Sequence, residues 1–434
     1  MTHDLLPTAP TPDTPLDAAQ LRELALDAGA DDAGLVAIDN PALDDQRADI
    51  LAAFPFARTL ISLVVRMNRE NIRSPARSVA NLEFHHAGDE CDDIAREIVT
   101  ALERRGLRAG YPSMGFPMEA ANWPGKIWVI AHKPVAVAAG LGHMGVHRNV
   151  IHPKFGNFIL LGTVVVGLDI ETTAKPLDYN PCLQCKLCVA VCPTGAIAPD
   201  GHFDFSACYT HNYREFMGGF GDWVETIANA SSARAYREKT TDAETVSMWQ
   251  SLAFGPNYKA AYCMSVCPAG EDVIGVYQSD KKGFLQAIVN PLQEKPETIY
   301  VTAKSDAEDY VARRFENKRA KRVGNGLRPS TISGFLANLR LAFQRGQSSG
   351  LNAVYHFIFT GAEERRATII IANKEIRIEN GLIGAPRLTV TADADTWLQF
   401  LRKETNLLWA LLRFKIRLRG DPRLLLAFGR CFPM

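Results

Sequence analysis

The chain carries no excess of charge: Lys and Arg number 48, Asp and Glu 48, and the formal net charge is zero. That balance argues against nucleic acid or an anionic membrane as the main partner, because both draw proteins through a surplus of positive charge. No run of about 18 consecutive apolar residues occurs, so no transmembrane segment is expected. The opening stretch, MTHDLLPTAPTPDTP, lacks a basic n-region, an apolar h-region and a twin arginine. No secretory signal is therefore expected, and the reducing cytoplasm is the expected compartment. Being rich in Pro and Thr, residues 1–15 are expected to form a disordered tail. Cysteine is sparse but clustered: of nine, six stand in Cys-x-x-Cys or Cys-x3-Cys-Pro runs. Such clustering in a long chain reads as metal binding and not as a disulfide framework.

At 434 residues, 47% of them hydrophobic, the chain has room for sizeable cores and roughly two to four domains. Helix and strand patterns alternate over the first 175 residues. Leu21, Leu24 and Ala25 mark a helix that Gly29 ends. Ala33–Ile38, Thr59–Val65, Ile127–Ile130 and Phe158–Val166 read as strands, and Cys91–Arg105 as an amphipathic helix with Ile94, Ile98, Val99 and Leu102 on one face. The alternation predicts an α/β layer fold. Cys91, alone in the first turn of its helix, reads as a buried thiol.

The densest chemistry lies in Asn180–Ile197, NPCLQCKLCVAVCPTGAI. Cys182, Cys185, Cys188 and Cys192 are separated by two, two and three residues, and Pro193 follows. A cubane cluster needs thiolates arriving from several directions, which a tight cysteine turn supplies, and the fourth, proline-flanked cysteine commonly serves another cluster. Zinc also accepts Cys-x2-Cys pairs, but four cysteines at this spacing with Cys-Pro point to iron and sulfur.

Before that run stands AGLGHMGVHRNVIHPKFG, residues 139–156. Gly140, Gly142 and Gly145 approximate GxGxxG, yet they follow a helical stretch, Val135–Ala139, where a dinucleotide site needs a strand. The glycines suit close approach of backbone to a large flat ligand. Two histidines four apart, His143 and His147, would meet on one face if the segment were helical, which leaves a mononuclear metal site as an alternative.

The segment HKPVAVAAGLGHMGVHRNVIHPKFGNFILLGTVVVGLDI, with the cysteine run close behind, resembles epoxyqueuosine reductases and reductive dehalogenases over about residues 16–295. The resemblance implies a nitroreductase-like, cobalamin-binding domain at 16–175 and a two-cluster ferredoxin-type domain at 176–295. It implies a first 4Fe–4S cluster on Cys182, Cys185, Cys188 and Cys267, and a second on Cys192, Cys208 and Cys263. The family's later run is Cys-x2-Cys-x3-Cys-Pro; here the place of its first cysteine is held by Ala260. The second cluster then has three open forms: 3Fe–4S, an iron bearing water or a small ligand, or a nitrogen ligand, for which His211 is the nearest residue. His211 also reads as a plain polar neighbour. Corrinoid contacts are implied for Gly140, Gly142, Gly145, His147 and Arg148, and proton delivery for His147, Lys133 and His132. The chain departs from the family at Val146, where a Lys or Arg is usual, and in the acid expected near Lys126. Neither transfer-RNA reduction nor dehalogenation is assumed on that footing. Between Cys208 and Cys263 lie 54 residues, long for a ferredoxin core, so 214–252 read as an insertion, either a cover over the cofactor or a peripheral helical elaboration.

Residues 296–329 turn charged and read as a linker, with Lys318–Arg322 as a solvated basic helix. From 330 on, a helix at TISGFLANLRLAF precedes strands at Tyr355–Thr360, Ala367–Ala372, Glu375–Glu379 and Leu388–Ala392. Helices at Thr396–Leu401 and Asn406–Leu412, a strand at Lys415–Arg419 and a last helix follow. LTVTADADTWLQFL and FKIRLRGDPRLLLAF make residues 330–434 resemble a sterol carrier protein type-2 domain, an α+β fold enclosing an apolar tunnel for lipids, sterols or acyl chains. Trp397, Leu401, Leu408, Trp409 and Leu412 read as core or tunnel wall.

The expectation for the whole is a multidomain α/β and α+β chain. It would be an iron–sulfur reductase, cobalamin-dependent by resemblance, that takes electrons from a donor such as a ferredoxin or flavodoxin and reduces a hydrophobic small molecule. The alternative is an electron-transfer protein whose lipid domain docks the substrate of a separate oxidoreductase.

Overall fold

The computed structural model describes residues 16–171, 174–178, 180–182 and 185–433. The tail expected to be disordered lies outside the described residues. Two compact units interleave along the chain. The first takes the residues up to Ala121, Ile127–Val191 and Tyr262–Leu292; the second takes Asn122–Lys126, Cys192–Ala261 and everything from Gln293. The segment expected as one ferredoxin domain is therefore divided after Val191.

The first unit is built on a four-stranded antiparallel sheet of β1 (Asp32–Ala37), β2 (Thr59–Arg66), β3 (Ala109–Gly110) and β6 (Ile159–Val166), in the order β1-β2-β6-β3. A small hairpin, β4 (His143–Met144) with β5 (Val150–Ile151), lies between them in sequence. Seven of the eight residues of β2 are buried, because both faces of the sheet are covered. Leu60, Val64, Leu161 and Val165 pack with Leu43, Ile50, Val135 and Ala136 on one face. At alternate positions Gly162 meets Cys91 of the long helix Arg77–Arg104; a Cβ on Gly162 would stand 2.6 Å from the Cys91 sulfur.

That helix starts fourteen residues before its expected place at Cys91. Its first turns bury the polar side chains of Arg77 and Asn81, which broke the apolar period in the sequence. Cys91 thus sits mid-helix, fully buried, its thiol pushed up to about 12 by burial. Ile127–Ile130 is not a strand: the stretch is irregular, with Ile127 and Ile130 buried and Trp128 exposed. Short apolar runs do not distinguish a strand from a buried loop.

In the second unit the charged stretch 296–329 is no linker. It forms a parallel pair, β7 (Glu297–Val301) and β8 (Lys318–Arg322), joined by the helix Asp306–Arg314. The basic run is a strand because Lys318 is buried, its ammonium donating to Lys295 O at 3.0 Å and Glu297 Oε1 at 2.6 Å. The 214–252 insertion carries the helices Gly218–Ala228, Ala233–Lys239 and Asp242–Phe254, the last fixed by a Thr241/Glu244 capping box.

Residues 330–433 form a five-stranded sheet in the order β11-β10-β9-β12-β13, from β9 (Ala353–Thr360), β10 (Arg365–Ala372), β11 (Glu375–Asn380), β12 (Leu388–Asp393) and β13 (Ile416–Gly420). All neighbours are antiparallel except β9 and β12, which are parallel. Trp397 anchors the core, with ring centroids 5.6 Å from those of Phe335, Phe357 and Phe400. Leu401 is buried beside it, but Leu408, Trp409 and Leu412 are exposed and lie outside the buried core.

Candidate metal centre

Five cysteines of the first unit come together from two distant stretches. Cys188 lies on the short helix Leu187–Val191, which packs against Tyr262–Ser265, the helix carrying Cys263. Cys267 shares a buried cluster with Ile151 and Ala269, and Cys182 packs against it. The Cys188 thiol is pushed far up by burial and then by the charges of Cys263, Cys267, Cys185 and Cys182. Burial likewise pushes Cys267 up to about 12, with Cys185, Cys182 and Cys263 adding to it. Cys188 and Cys267 are buried, and Cys182, Cys185 and Cys263 half-buried. Thiolates that bear on one another in this way ionise together only if a cation holds them, and iron in a sulfide cluster is the soft centre such donors select. The donor chemistry, soft thiolates drawn from both stretches, fits that cluster, although no three of the described side chains are gathered into a closed metal-binding group. Cys182 also accepts a hydrogen bond from the Val146 amide at 3.5 Å, of the kind that tunes a cluster. Val146, the departure from the family pattern, thus offers its backbone to the cysteine run.

The PKFG loop explains how the second stretch reaches the first. The Glu271 amide donates to Pro153 O at 2.9 Å and the Asp272 amide to Lys154 O at 3.0 Å. Gly156, at φ +67°, and Gly270, at φ +109°, face each other with no room for side chains. A Cβ on Gly156 would lie 2.1 Å from Ala269 O, and one on Gly270 would lie 2.3 Å from Gly156 N. The glycine that ends PKFG is thus demanded by the Cys-Pro-Ala-Gly loop.

Sequence reasoning missed Arg73. Its guanidinium lies 5.3 Å from the Phe158 ring and 5.6 Å from that of Phe284, and its Nε and Nη2 are buried without hydrogen-bond partners. Burial lowers its pKa, while Glu70 and the Cys267 thiolate favour its charge. An arginine eighteen residues ahead of the helix read from Cys91 gives no hint of a cysteine neighbour far along the chain.

Cys192 and Cys208 belong to the second unit. Cys192 is buried, with its sulfur 3.7 Å from Thr194 Oγ1. Cys208 stands on the helix Phe205–Asn212, whose amino end Asp204 caps. Burial, Tyr258 and Cys208 together push the Tyr213 phenol far up. Ala260, where the second run lacks its cysteine, is buried and donates its amide to Asn212 Oδ1 at 3.0 Å. His211 accepts the Tyr300 amide on Nδ1 at 3.3 Å, and its Nε2 is buried without a partner. Its pKa is lowered to about 4 by burial, and the charges bearing on it are Glu297 and three lysines, Lys259, Lys318 and Lys295.

The residues assigned to proton delivery are engaged inside the first unit. His132 Nδ1 meets Thr163 Oγ1 at 2.8 Å, and Nε2 meets Ser113 O at 3.2 Å; burial lowers its pKa to about 4. His147 Nδ1 accepts the Asn149 amide at 3.1 Å, so Nε2 carries the proton and faces the Asn157 amide at 3.4 Å. Turning that amide over would set Asn157 Oδ1, otherwise unsatisfied, against the Nε2 proton. Lys133 donates to Arg148 O and Asn149 Oδ1. The glycines are also accounted for from within. A Cβ on Gly142 would stand 2.5 Å from Val150 Cγ1, one on Gly145 would stand 2.8 Å from the His147 ring, and one on Gly140 would stand 2.9 Å from Lys175 O. Of the residues implied for a corrinoid, Arg148 is the exposed one and fits an outward contact; the others are taken up by the fold. His143 lies in β4 and His147 in the turn beyond it, so they share no helix face.

A pH effect follows for His147, whose pKa is lowered to about 4 by burial and by Lys133. Between about pH 6.5 and 4 the unfolded chain binds a proton that the folded one refuses, so stability is complete above that window and falls as pH drops through it. The loss reaches about 3 kcal/mol at the acid end. Thermal melts of wild type and His147→Gln from pH 7 to pH 4 should show the slope flattened in the variant.

Residues 175–198 match the family model of a 4Fe-4S binding domain, and residues 339–433 that of the SCP-2 sterol transfer family. Both likenesses read from the sequence therefore stand. An epoxyqueuosine reductase of Lactococcus garvieae (strain Lg2) is 38% identical over 77 residues, 18% of this chain and 21% of the relative. One from Gloeobacter violaceus is 25% identical over 169 residues, 39% of this chain and 50% of the relative. The chain spans between a fifth and a half of the length of the curated relatives it matches. Among solved structures, epoxyqueuosine reductase from Streptococcus thermophilus aligns with a TM-score of 0.31 and 19% identity, over 43% of this chain and 54% of that one. A catabolic reductive dehalogenase in complex with 3-bromo-4-hydroxybenzoic acid aligns with a TM-score of 0.39 and 15% identity, over 63% and 34%.

Proposed function

We propose that this chain is an iron–sulfur oxidoreductase that passes electrons through two clusters to a corrinoid and reduces a hydrophobic substrate held by its SCP-2-like part. The observation that carries the redox reading is the convergence of Cys182, Cys185, Cys188, Cys263 and Cys267 in one unit from both ends of a long excursion. Two clusters follow the family resemblance. A corrinoid, when bound, supplies a strongly reducing metal centre; this chain contributes the exposed Arg148 toward it. The SCP-2 family match supports a lipid, sterol or acyl ligand. Buried His147 holds the turn of the glycine segment in place, and His132 ties its helix to Thr163 and Ser113.

A second reading is favoured by that last observation. With His132, His147 and Lys133 all engaged internally, the first unit can serve as an electron carrier for a separate oxidoreductase. Anaerobic purification after growth with cobalamin separates the two, through corrinoid content and the electron paramagnetic resonance spectrum. Bound corrinoid supports the reductase; cluster signals with no corrinoid, even after reconstitution, leave the carrier. Cys267→Ser should abolish the signal of the first cluster although it lies far from Cys182 in sequence. Loss confined to the second cluster's signal would overturn the ligand assignment.

A further inference from the structure

Whole-chain neutrality conceals a local surplus. Arg402–Arg423 holds seven Lys or Arg against two Asp or Glu, in a chain whose totals cancel. The same stretch exposes large apolar side chains: Leu412 is 80% exposed, Phe414 77%, Leu408 69% and Trp409 43%. They lie on and just beyond the short helix Leu407–Leu412, whose other side, Ala410 with Leu407 and Leu411, faces the core. This is therefore no frayed helix but an amphipathic one, anchored inward and greasy outward.

Phe414 sharpens the point. It closes the helix at φ +57°, with its amide on Leu411 O and the next amide, Lys415, on Ala410 O. Glycine adopts that left-handed position freely, and a phenylalanine holds it only against strain. A bulky ring is thus kept in a strained position and turned into solvent, with no return among the described residues.

We propose that the ridge Leu408, Trp409, Leu412 and Phe414, with the basic residues around it, docks on the surface of an anionic phospholipid bilayer. The apolar tips would enter the acyl boundary, while long Arg and Lys stems carry their charges to the phosphates. Arg413 lies over the Trp409 ring, 4.4 Å from its centroid, the pairing of cation and amphipathic aromatic suited to the headgroup layer. Beside the ridge runs β13, an edge strand with Arg417 and Arg419 outward and Ile416 inward. Those edge charges oppose pairing with a second copy of the same strand, which favours a lipid surface over self-association. The inference is independent of the redox reading.

The test uses the full holoprotein and flotation with two kinds of vesicle, phosphatidylcholine alone and phosphatidylcholine mixed about one to one with phosphatidylglycerol. Flotation is expected with the anionic vesicles only, reversed by high salt. Arg417→Gln/Arg419→Gln should weaken it by about tenfold or more. Phe414→Gly is the decisive variant: relieved of strain, it should melt higher, yet bind the anionic vesicles more weakly. No flotation, or equal flotation of Phe414→Gly, would overturn the proposal. So would light scattering that shows a dimer which Leu412→Ser splits, because the ridge would then join two copies of this chain.

Discussion

Gly156→Ala is expected to abolish the first cluster, read as loss of iron and of visible absorbance in anaerobically purified protein. The new methyl group would sit 2.1 Å from a backbone oxygen, Ala269 O, and the backbone at φ +67° would itself be strained. Backbone atoms cannot rotate away as a side-chain tip can. The loop that would have to move is also pinned, through the amides of Glu271 and Asp272 on Pro153 O and Lys154 O. Left-handed strain and overpacking together cost about 2–5 kcal/mol, falling on the two residues that follow Cys267-Pro268. Gly275→Ala, in the adjoining helix Glu271–Ser279, is the matched control. Nothing lies within 4 Å of its Cβ, and its backbone is helical. It should keep full iron content and gain slightly in stability.

The second large effect concerns potential and not occupancy. Arg73→Met should leave the first cluster in place and lower its midpoint by about 60 mV, a tenfold change in a one-electron equilibrium. A buried cation beside a ligand thiolate favours the more negative, reduced cluster, and little solvent is there to screen it: the side chain is 12% exposed. Its partial ion pair with Glu70, at 3.7 Å, leaves Nε and Nη2 unpartnered, so much of its charge is uncompensated. Redox titration followed by electron paramagnetic resonance reads the shift, and Arg73→Lys should recover part of it. An unchanged midpoint in Arg73→Met would mean that the arginine serves packing against Phe158 and Phe284 alone.

Much of this was legible in the chain because it is local. The strands β9 to β12 and the last helices fall within a few residues of their expected places, since alternation and turn residues such as Asn373-Lys374 and Asn380-Gly381 are properties of neighbours in sequence. The cysteine run was legible for the same reason. What escaped depends on distant partners. Lys318 reads as solvated until Glu297 and Lys295 O surround it. Arg77 and Asn81 interrupt the apolar period, yet both are buried at the start of the long helix. Leu408, Trp409 and Leu412 read as core or tunnel wall because hydrophobicity carries no sign of which face has a neighbour. His147 and Lys133 read as reactive because their types are, and their hydrogen bonds to Asn149 and Arg148, made across one turn, could not be read from the sequence.

The interleaving of the two units bears on the order in which the protein can be assembled. Cys182, Cys185 and Cys188 emerge from the ribosome 79 residues ahead of Cys267, counting from Cys188, and the whole excursion between Val191 and Tyr262 belongs to the other unit. At ordinary elongation rates that interval lasts about 4–16 s. Through it, the first three thiols wait without the partners that would enclose them, and the sheet of the first unit waits for its last helices. Iron delivery before that moment would meet an incomplete site, and the nascent thiols would be open to oxidation or to stray metal. With the proposed ligand set, insertion of the first cluster would be a late event in the life of the nascent chain. On the proposed ligand set, a stall or truncation anywhere between residues 198 and 262 would leave the first cluster without Cys267 although every residue of Asn180–Ile197 has already been made.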